Sequence, residues 1–234
     1  MGLVAASVLV AAVATKGVRN HRTVETARAI EAPVVHSVFI QKDGALDPIT
    51  EGFKTHIWGH FEGNVMRNSA NYGFDRWRTV SDDAGYYYRP LTDPEKDFAE
   101  NKDWILTCVC AAGRGDAFAA ISFGKRAIMR FDIVLLEEGG KYFVGLTKKI
   151  TPAWEFEKVE FAGIADADHP HIYQLRYDHL AREASLWIDD RKFFNGYRGV
   201  DQFREDRGLF FGSWATRESR TGVGIFRTVR FEAH

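Results

Sequence analysis

Three glutamates stand close together in "WEFEKVE": Glu155, Glu157 and Glu160. Carboxylates grouped along one strand are the equipment of glycoside hydrolysis, and a retaining reaction needs two of them about 5 Å apart. The competing reading is a charged edge strand with three solvated glutamates. A second group, "DADHPHIY", offers Asp166, Asp168, His169 and His171, all residue types that hold metals. The two aspartates could contribute to a loop calcium site, and a solvated turn ahead of a strand is the plainer expectation. The third group is aromatic and basic. "FDRWRTVSDDAGYYYRP" carries Arg76, Trp77, Arg78, Tyr86, Tyr88 and Arg89, and Trp214 and Arg217 lie further on. Rings that stack on sugar faces, with guanidinium forks that bind hydroxyls and carboxylates, are what a carbohydrate cleft uses. Trp58, Tyr72, Trp154, Trp187 and Tyr197 are spread along the chain as well, and core packing is the competing expectation for most of the whole aromatic set. "GRGD" matches an adhesion tripeptide at Arg114-Gly115-Asp116, a match so short that a plain turn explains it. The sequence shows no serine or cysteine nucleophile with its partners, no phosphate loop and no nucleotide fingerprint.

The elements that must position these groups are strands. In "HIYQLRYD", Tyr173, Leu175 and Tyr177 share one face; in "ASLWIDD", Ala184, Leu186 and Ile188 point inward and Trp187 outward; in "WILTCVCA", Trp104, Leu106, Cys108 and Cys110 align. Period-two alternation of this kind marks half-buried strands. "RFDIVLLEEGGKYFVGLTKK" reads as a hairpin turning at Glu-Gly-Gly, and "GLFFGSW" and "GIFRTVRFEA" add two strands. "TDPEKDFAEN" is the one short helix, capped by Thr92 with Pro94 in its first turn. Many short antiparallel strands without a βαβ rhythm give an all-β, two-sheet antiparallel sandwich.

Composition narrows the function. The 234 residues carry a net charge of -1, so no basic surface invites nucleic acid or an acidic membrane. The two cysteines sit two apart on one strand face, where they read as small buried hydrophobes. Gly2 to Ala14 is an apolar run too short to span a bilayer. Its length and small residues, with Ala12-Val13-Ala14 at its end as an A-x-A-like cleavage site, suit an export signal. We therefore expect residues 1–32 to be a signal-like segment with a polar lead-in, residues 33–234 to be the sandwich, and the product to be secreted or held at the cell surface. Retention of the run would instead suit a subunit that assembles through it.

The strand series "HIYQLRYDHLAREASLWIDDRKFFNGYRG" and then "GLFFGSWATRESRTGVGIFRTVRF" resembles the C-terminal half of concanavalin A-like, laminin-G-like jelly-roll domains. Secreted bacterial members write a His-x-Tyr-x-Leu strand, here His171, Tyr173 and Leu175. A Val-Asp-Gly-like turn follows, here Ile188-Asp189-Asp190, then Phe211-Gly212-Ser213 and a closing Val229-Arg230-Phe231. "GYYYRPLT" and "DWILTCVCA" are similar to the family's early strands, so the likeness runs from about Tyr86 to Phe231. It implies a jelly roll, a fold that hosts lectins, hydrolases, lyases and inert interaction modules. Asp-Asp in place of Asp-Gly demands positive φ from an aspartate. Phe226 and Arg227 stand where relatives place an acidic calcium ligand in the last strand. "WEFEKVE" is similar to the acidic strand of laminarinase-type glycosidases, which share this architecture. It departs from them with Glu157 at the helper-aspartate position, without their Trp- and Gly-containing flanks, and with only a short segment before His171. The resulting expectation is a non-catalytic module for carbohydrate or another extracellular ligand. A glycosidase or polysaccharide lyase is the enzymatic alternative, and an assembly subunit the structural one.

Overall fold

The computed structural model describes residues 37–65, 75–124, 128–150, 153–201, 207–216 and 220–234. The apolar run Gly2 to Ala14 and Arg217 lie outside these residues. Along the chain come β1 (Val38–Asp43), β2 (Lys54–Trp58), β3 (Phe61–Val65), β4 (Trp77–Ser81), β5 (Ala84–Pro90), α1 (Asp93–Asn101), β6 (Trp104–Arg114) and β7 (Asp116–Phe123). Then follow β8 (Met129–Glu138), β9 (Lys141–Lys149), β10 (Glu155–Glu160), β11 (His171–Asp178), β12 (Glu183–Ile188), β13 (Arg191–Tyr197), β14 (Val200–Asp201), β15 (Gly208–Trp214) and β16 (Gly222–Ala233).

These strands form two antiparallel sheets. The first runs β13-β12-β11-β6-β16-β4-β3, with β1 also on β16; the second runs β10-β9-β8-β7-β15-β5-β2, with β14 on β8. The long β16 explains how β1 joins: one edge pairs with β6, while the other takes β4 along Gly222–Phe226 and β1 along Thr228–Ala233. The architecture is therefore the all-β, two-sheet antiparallel sandwich that the alternation predicts.

The inward phases match that expectation residue by residue. Trp104, Leu106, Cys108 and Cys110 of β6, Tyr173, Leu175 and Tyr177 of β11, and Ala184, Leu186 and Ile188 of β12 all lie in the inter-sheet core. Both cysteines are free thiols buried there, and burial pushes the Cys108 thiol up. The turn at Asp189-Asp190 has φ of 46° and 63°, the positive pair that a two-residue hairpin of this twist requires. The β8–β9 hairpin turns on Gly139 and Gly140, also at positive φ. Helix α1 starts as expected: the Glu95 carboxylate accepts the Thr92 backbone N–H at 2.7 Å, half of a capping box.

Trp104 is the hub between the sheets. Its ring stacks on Tyr177 at 4.8 Å and meets Phe123 at 5.9 Å, Phe131 at 5.3 Å and Phe231 at 5.6 Å. Trp104→Ala empties that space and is expected to cost about 3–5 kcal/mol, read as a lowered denaturation midpoint in urea at unchanged slope. A second inter-sheet tie is polar: the Thr79 hydroxyl of β4 donates to the Ser213 hydroxyl of β15 at 3.0 Å. Among the described residues, no helix is long and apolar enough to cross a membrane.

Candidate functional site: an aromatic cleft on the second sheet

A sandwich ordinarily solvates the outer face of each sheet. The second sheet does not. Every residue of β7 is buried: Ala117, Ala119, Ile121 and Phe123 face the core, whereas Phe118 and Ala120 join a separate apolar cluster on the other face. The same split holds in the neighbours. Tyr87, Leu209, Phe211, Ile133 and Leu135 point inward, and Tyr86, Phe210, Val134 and Leu136 point outward.

Strand register arranges the outer side chains in rows. One row crosses the sheet as His56, Tyr86, Gly212, Phe118, Val134 and Gly145. The next reads Trp58, Ala84, Trp214 and Asp116. Small residues alternating with rings leave hollows between the rings. At Gly212 a Cβ would come within 2.1 Å of the Gly85 carbonyl oxygen, so only glycine fits. The result is a cavity of about 500 Å³, within the range of small-molecule sites. Tyr86, Phe118 and Phe210 form its buried floor, Trp214, Phe156 and Arg130 its walls, and the exposed Trp58 and Trp154 its rim.

The rings support one another. Trp214 lies 4.7 Å from Phe118 and 5.7 Å from Trp154, and Tyr86 lies 5.6 Å from Phe210 and 5.8 Å from Trp58. His56 stacks on Tyr86 at 5.0 Å, extending the aromatic surface to the edge strand. Two carboxylates hold the walls. Asp116, cross-strand from Trp214, accepts the indole N–H at 2.5 Å and the Glu137 backbone N–H at 3.0 Å. Burial pushes its carboxyl up to about 6. Asp132, fully buried, accepts the Arg130 Nε–H at 3.1 Å. The Arg130 guanidinium then sits 5.4 Å from the Trp154 ring and 5.5 Å from the Phe118 ring, in cation–π range. This use of Asp116 also settles the tripeptide: its carboxylate is buried, and Arg114-Gly115-Asp116 is a plain turn with Gly115 at φ 61°.

Of the residues expected to bind ligand, the structure brings Tyr86 and Trp214 into the cleft. Tyr88 lies on the same face, stacked on Phe210 at 4.8 Å, outside the cavity lining. The other described ones lie away from it. Arg76 is buried and donates to the Ala167 and Asp168 carbonyls; Trp77 is in the core against Tyr87. Arg78 sits on β4 of the other sheet, and Arg89 is 3.2 Å from Glu95. Phe118, Phe156, Phe210 and Arg130 were not legible as site residues, because each occupies the strand phase that a sandwich normally gives to solvent. The signal was the unbroken apolar run "AFAAI", which denotes a strand buried on both faces.

The two ends of the acidic strand, Glu155 and Glu160, do not form a dyad. Glu155, Glu157 and Glu160 are all exposed on the edge strand β10. Glu155 pairs with Lys149 at 3.4 Å and Glu160 with Lys141 at 3.0 Å, at opposite ends of the same hairpin. Five strand residues separate the two by about 16 Å, three times the retaining distance. The described lining of the cleft holds one carboxylate, Asp83. The calcium candidates also turn elsewhere. Asp166 accepts the backbone N–H groups of Asp168 and His169, each at 3.0 Å, a turn cap that lowers its pKa. Asp103, Asp178 and His179 approach one another, and they too cap a turn: Asp178 accepts the Leu180 and Ala181 N–H groups at 2.9 Å, and Asp103 accepts the His179 N–H at 2.9 Å. His171 is held by Asp189 across the hairpin. On the first sheet's outer face Trp187 carries Arg176 at 4.3 Å and Lys192 at 5.0 Å.

No protein-family model matches the chain, and no curated protein matches it. Solved structures do. A carbohydrate esterase of the Shiga toxin-encoding bacteriophage phi24B aligns with 83% of this chain and 97% of its own, at TM-score 0.51 and 12% identity. The binding domain of botulinum neurotoxin DC, solved with rat synaptotagmin II, aligns with 78% of this chain at TM-score 0.47 and 10% identity. This chain spans 44% of that neurotoxin domain. The CBM2 module of the evolved Dit protein of Lactobacillus casei BL23 phage J-1 aligns with 84% of this chain and 89% of its own, at TM-score 0.42 and 10% identity. At such identities the likeness is one of fold.

Proposed function

We propose that the chain is a non-catalytic extracellular module that binds carbohydrate in the aromatic cleft of the second sheet. One observation carries the reading: rings from five strands and a loop converge outside the core on one hollow, with Trp58 and Trp154 exposed at its rim. Aromatic surface left at a cavity mouth binds the apolar faces of sugars, and an apolar outer face of this kind marks an interaction site. From β2 to β10 the sheet takes six inter-strand steps, about 29 Å, which suits an oligosaccharide laid across the strands. The phage carbohydrate esterase that shares this fold is named for carbohydrate, which favours that class of ligand without assigning one. The jelly-roll assignment of concanavalin A-like type rests on the segments between Tyr86 and Phe231, and export on the apolar run Gly2 to Ala14.

The test is a glycan array probed with the full chain, with product analysis on every glycan retained. Retention without shortened products supports the module. Glu155→Gln and Glu160→Gln should then leave retention unchanged and shift stability by less than about 0.5 kcal/mol each, as exposed ion pairs do. Cleavage abolished by those substitutions would replace this reading with the glycosidase.

A further inference from the structure

We infer that the cleft recognises a carboxylate-bearing sugar and that the Arg130 guanidinium is its anchor, an inference that rests on the cleft being the ligand site. Arg130 lies on β8 in the outward phase, among the lining residues. Its orientation is imposed. Nε donates to Asp132 Oδ2 at 3.1 Å, and the guanidinium carbon stands 5.4–5.8 Å from the rings of Trp154, Phe118 and Phe210.

Asp132 cannot take up the rest of the fork. Its carboxylate also accepts the Thr147 backbone N–H at 3.0 Å, the Thr147 hydroxyl at 2.8 Å and the Tyr197 hydroxyl at 3.3 Å. With Arg130 that makes four donors, which fills the lone-pair sites of a carboxylate. Among the described residues the Arg130 hydrogen bond is made through Nε, and its two terminal amino groups donate to no side chain or carbonyl.

A guanidinium has donors and no acceptor, and its planar fork matches a carboxylate in bidentate geometry. A neutral sugar hydroxyl uses it less well. The other charge of the described lining, Asp83, is exposed at the mouth. Asp132 offsets the Arg130 charge, so what the cleft offers a ligand is the outer fork of a charged donor within apolar walls, where charge-assisted hydrogen bonds gain strength. A uronic or sialic acid residue brings both parts that fit: a ring face for Trp154 and Trp214, and a carboxylate for Arg130.

The experiment is calorimetric titration of the full chain with oligogalacturonate, oligomannuronate, a glucuronate-containing oligosaccharide and a sialylated oligosaccharide. Each is paired with its carboxyl-reduced neutral counterpart. The expected result is that at least one acidic member binds about 10- to 100-fold more tightly than its reduced form, with the preference shrinking as salt is raised. Arg130→Lys keeps the charge and loses the fork. It should remove most of that preference by weakening the acidic member far more than the reduced form, and a matched thermal melt checks its fold. Equal binding of acidic and reduced forms, with both lost in Trp154→Ala, would overturn the Arg130 assignment and leave the carbohydrate cleft standing. Failure of every acidic and neutral oligosaccharide to bind would overturn both.

Discussion

Trp154→Ala is expected to weaken glycan binding by about tenfold or more while leaving thermal stability within about 1 °C of the parent. Trp154 is 43% exposed, so truncating it removes little core. What it removes is the rim of the cleft, the ring packed 5.7 Å from Trp214 and 5.4 Å from the Arg130 guanidinium. A tryptophan that a bound ligand covers and desolvates can carry about 2 kcal/mol or more of binding energy. Trp214→Ala should be worse for binding and also costs stability, because its indole packs on Phe118 at 4.7 Å and donates to Asp116 at 2.5 Å. Calorimetric titration with a glycan retained on the array, beside thermal melts of both variants, separates the two effects. Unchanged affinity in Trp154→Ala would place the ligand elsewhere.

Asp116 gives the second large effect, and its sign is opposite to that of an ordinary aspartate. Burial holds its folded pKa up at about 6 against the ordinary 3.8, with Glu138 and Glu137 adding repulsion and the Trp214 and Glu137 N–H groups opposing it. Between those pH values the folded state binds the proton and the unfolded state does not. Its contribution to stability is therefore fully present below about pH 3.8 and is lost as pH rises through about 6. The difference in unfolding free energy between the parent and Asp116→Asn should shift by up to about 3 kcal/mol in favour of the parent from pH 7.5 to pH 4. Other titrating groups are present in both proteins and largely cancel. Parallel stability profiles in urea across that range would show that Asp116 is not buried as described.

The two faces of the second sheet show what a sequence makes legible. Alternation reports one burial boundary, so the inward rings of β6, β11 and β12 could be read directly from "WILTCVCA", "HIYQLRYD" and "ASLWIDD". The Asp189-Asp190 turn was equally readable, because a two-residue hairpin leaves aspartate no other conformation than positive φ. In "DAFAAISF" and "GLFFGSW" both phases are apolar, and period two vanishes. The cleft lies in that gap. Tyr86 and Trp214 were identified as ligand-facing by their chemistry alone. Arg76, Arg78 and Arg89 have the same chemistry, but the chain spends them on a loop carbonyl pair, the other sheet and the start of α1. Spacing along one strand could not show that Arg130 and Trp154, 24 residues apart, meet over Phe118. That juxtaposition depends on how β8, β9 and β10 are registered.

The most direct test is a crystal structure of the full chain with a glycan retained on the array. The cleft account predicts sugar rings stacked on Trp154 and Trp214, over the floor of Tyr86, Phe118 and Phe210. Ligand seated instead on Trp187 between Arg176 and Lys192, with the cleft unvisited, would contradict it.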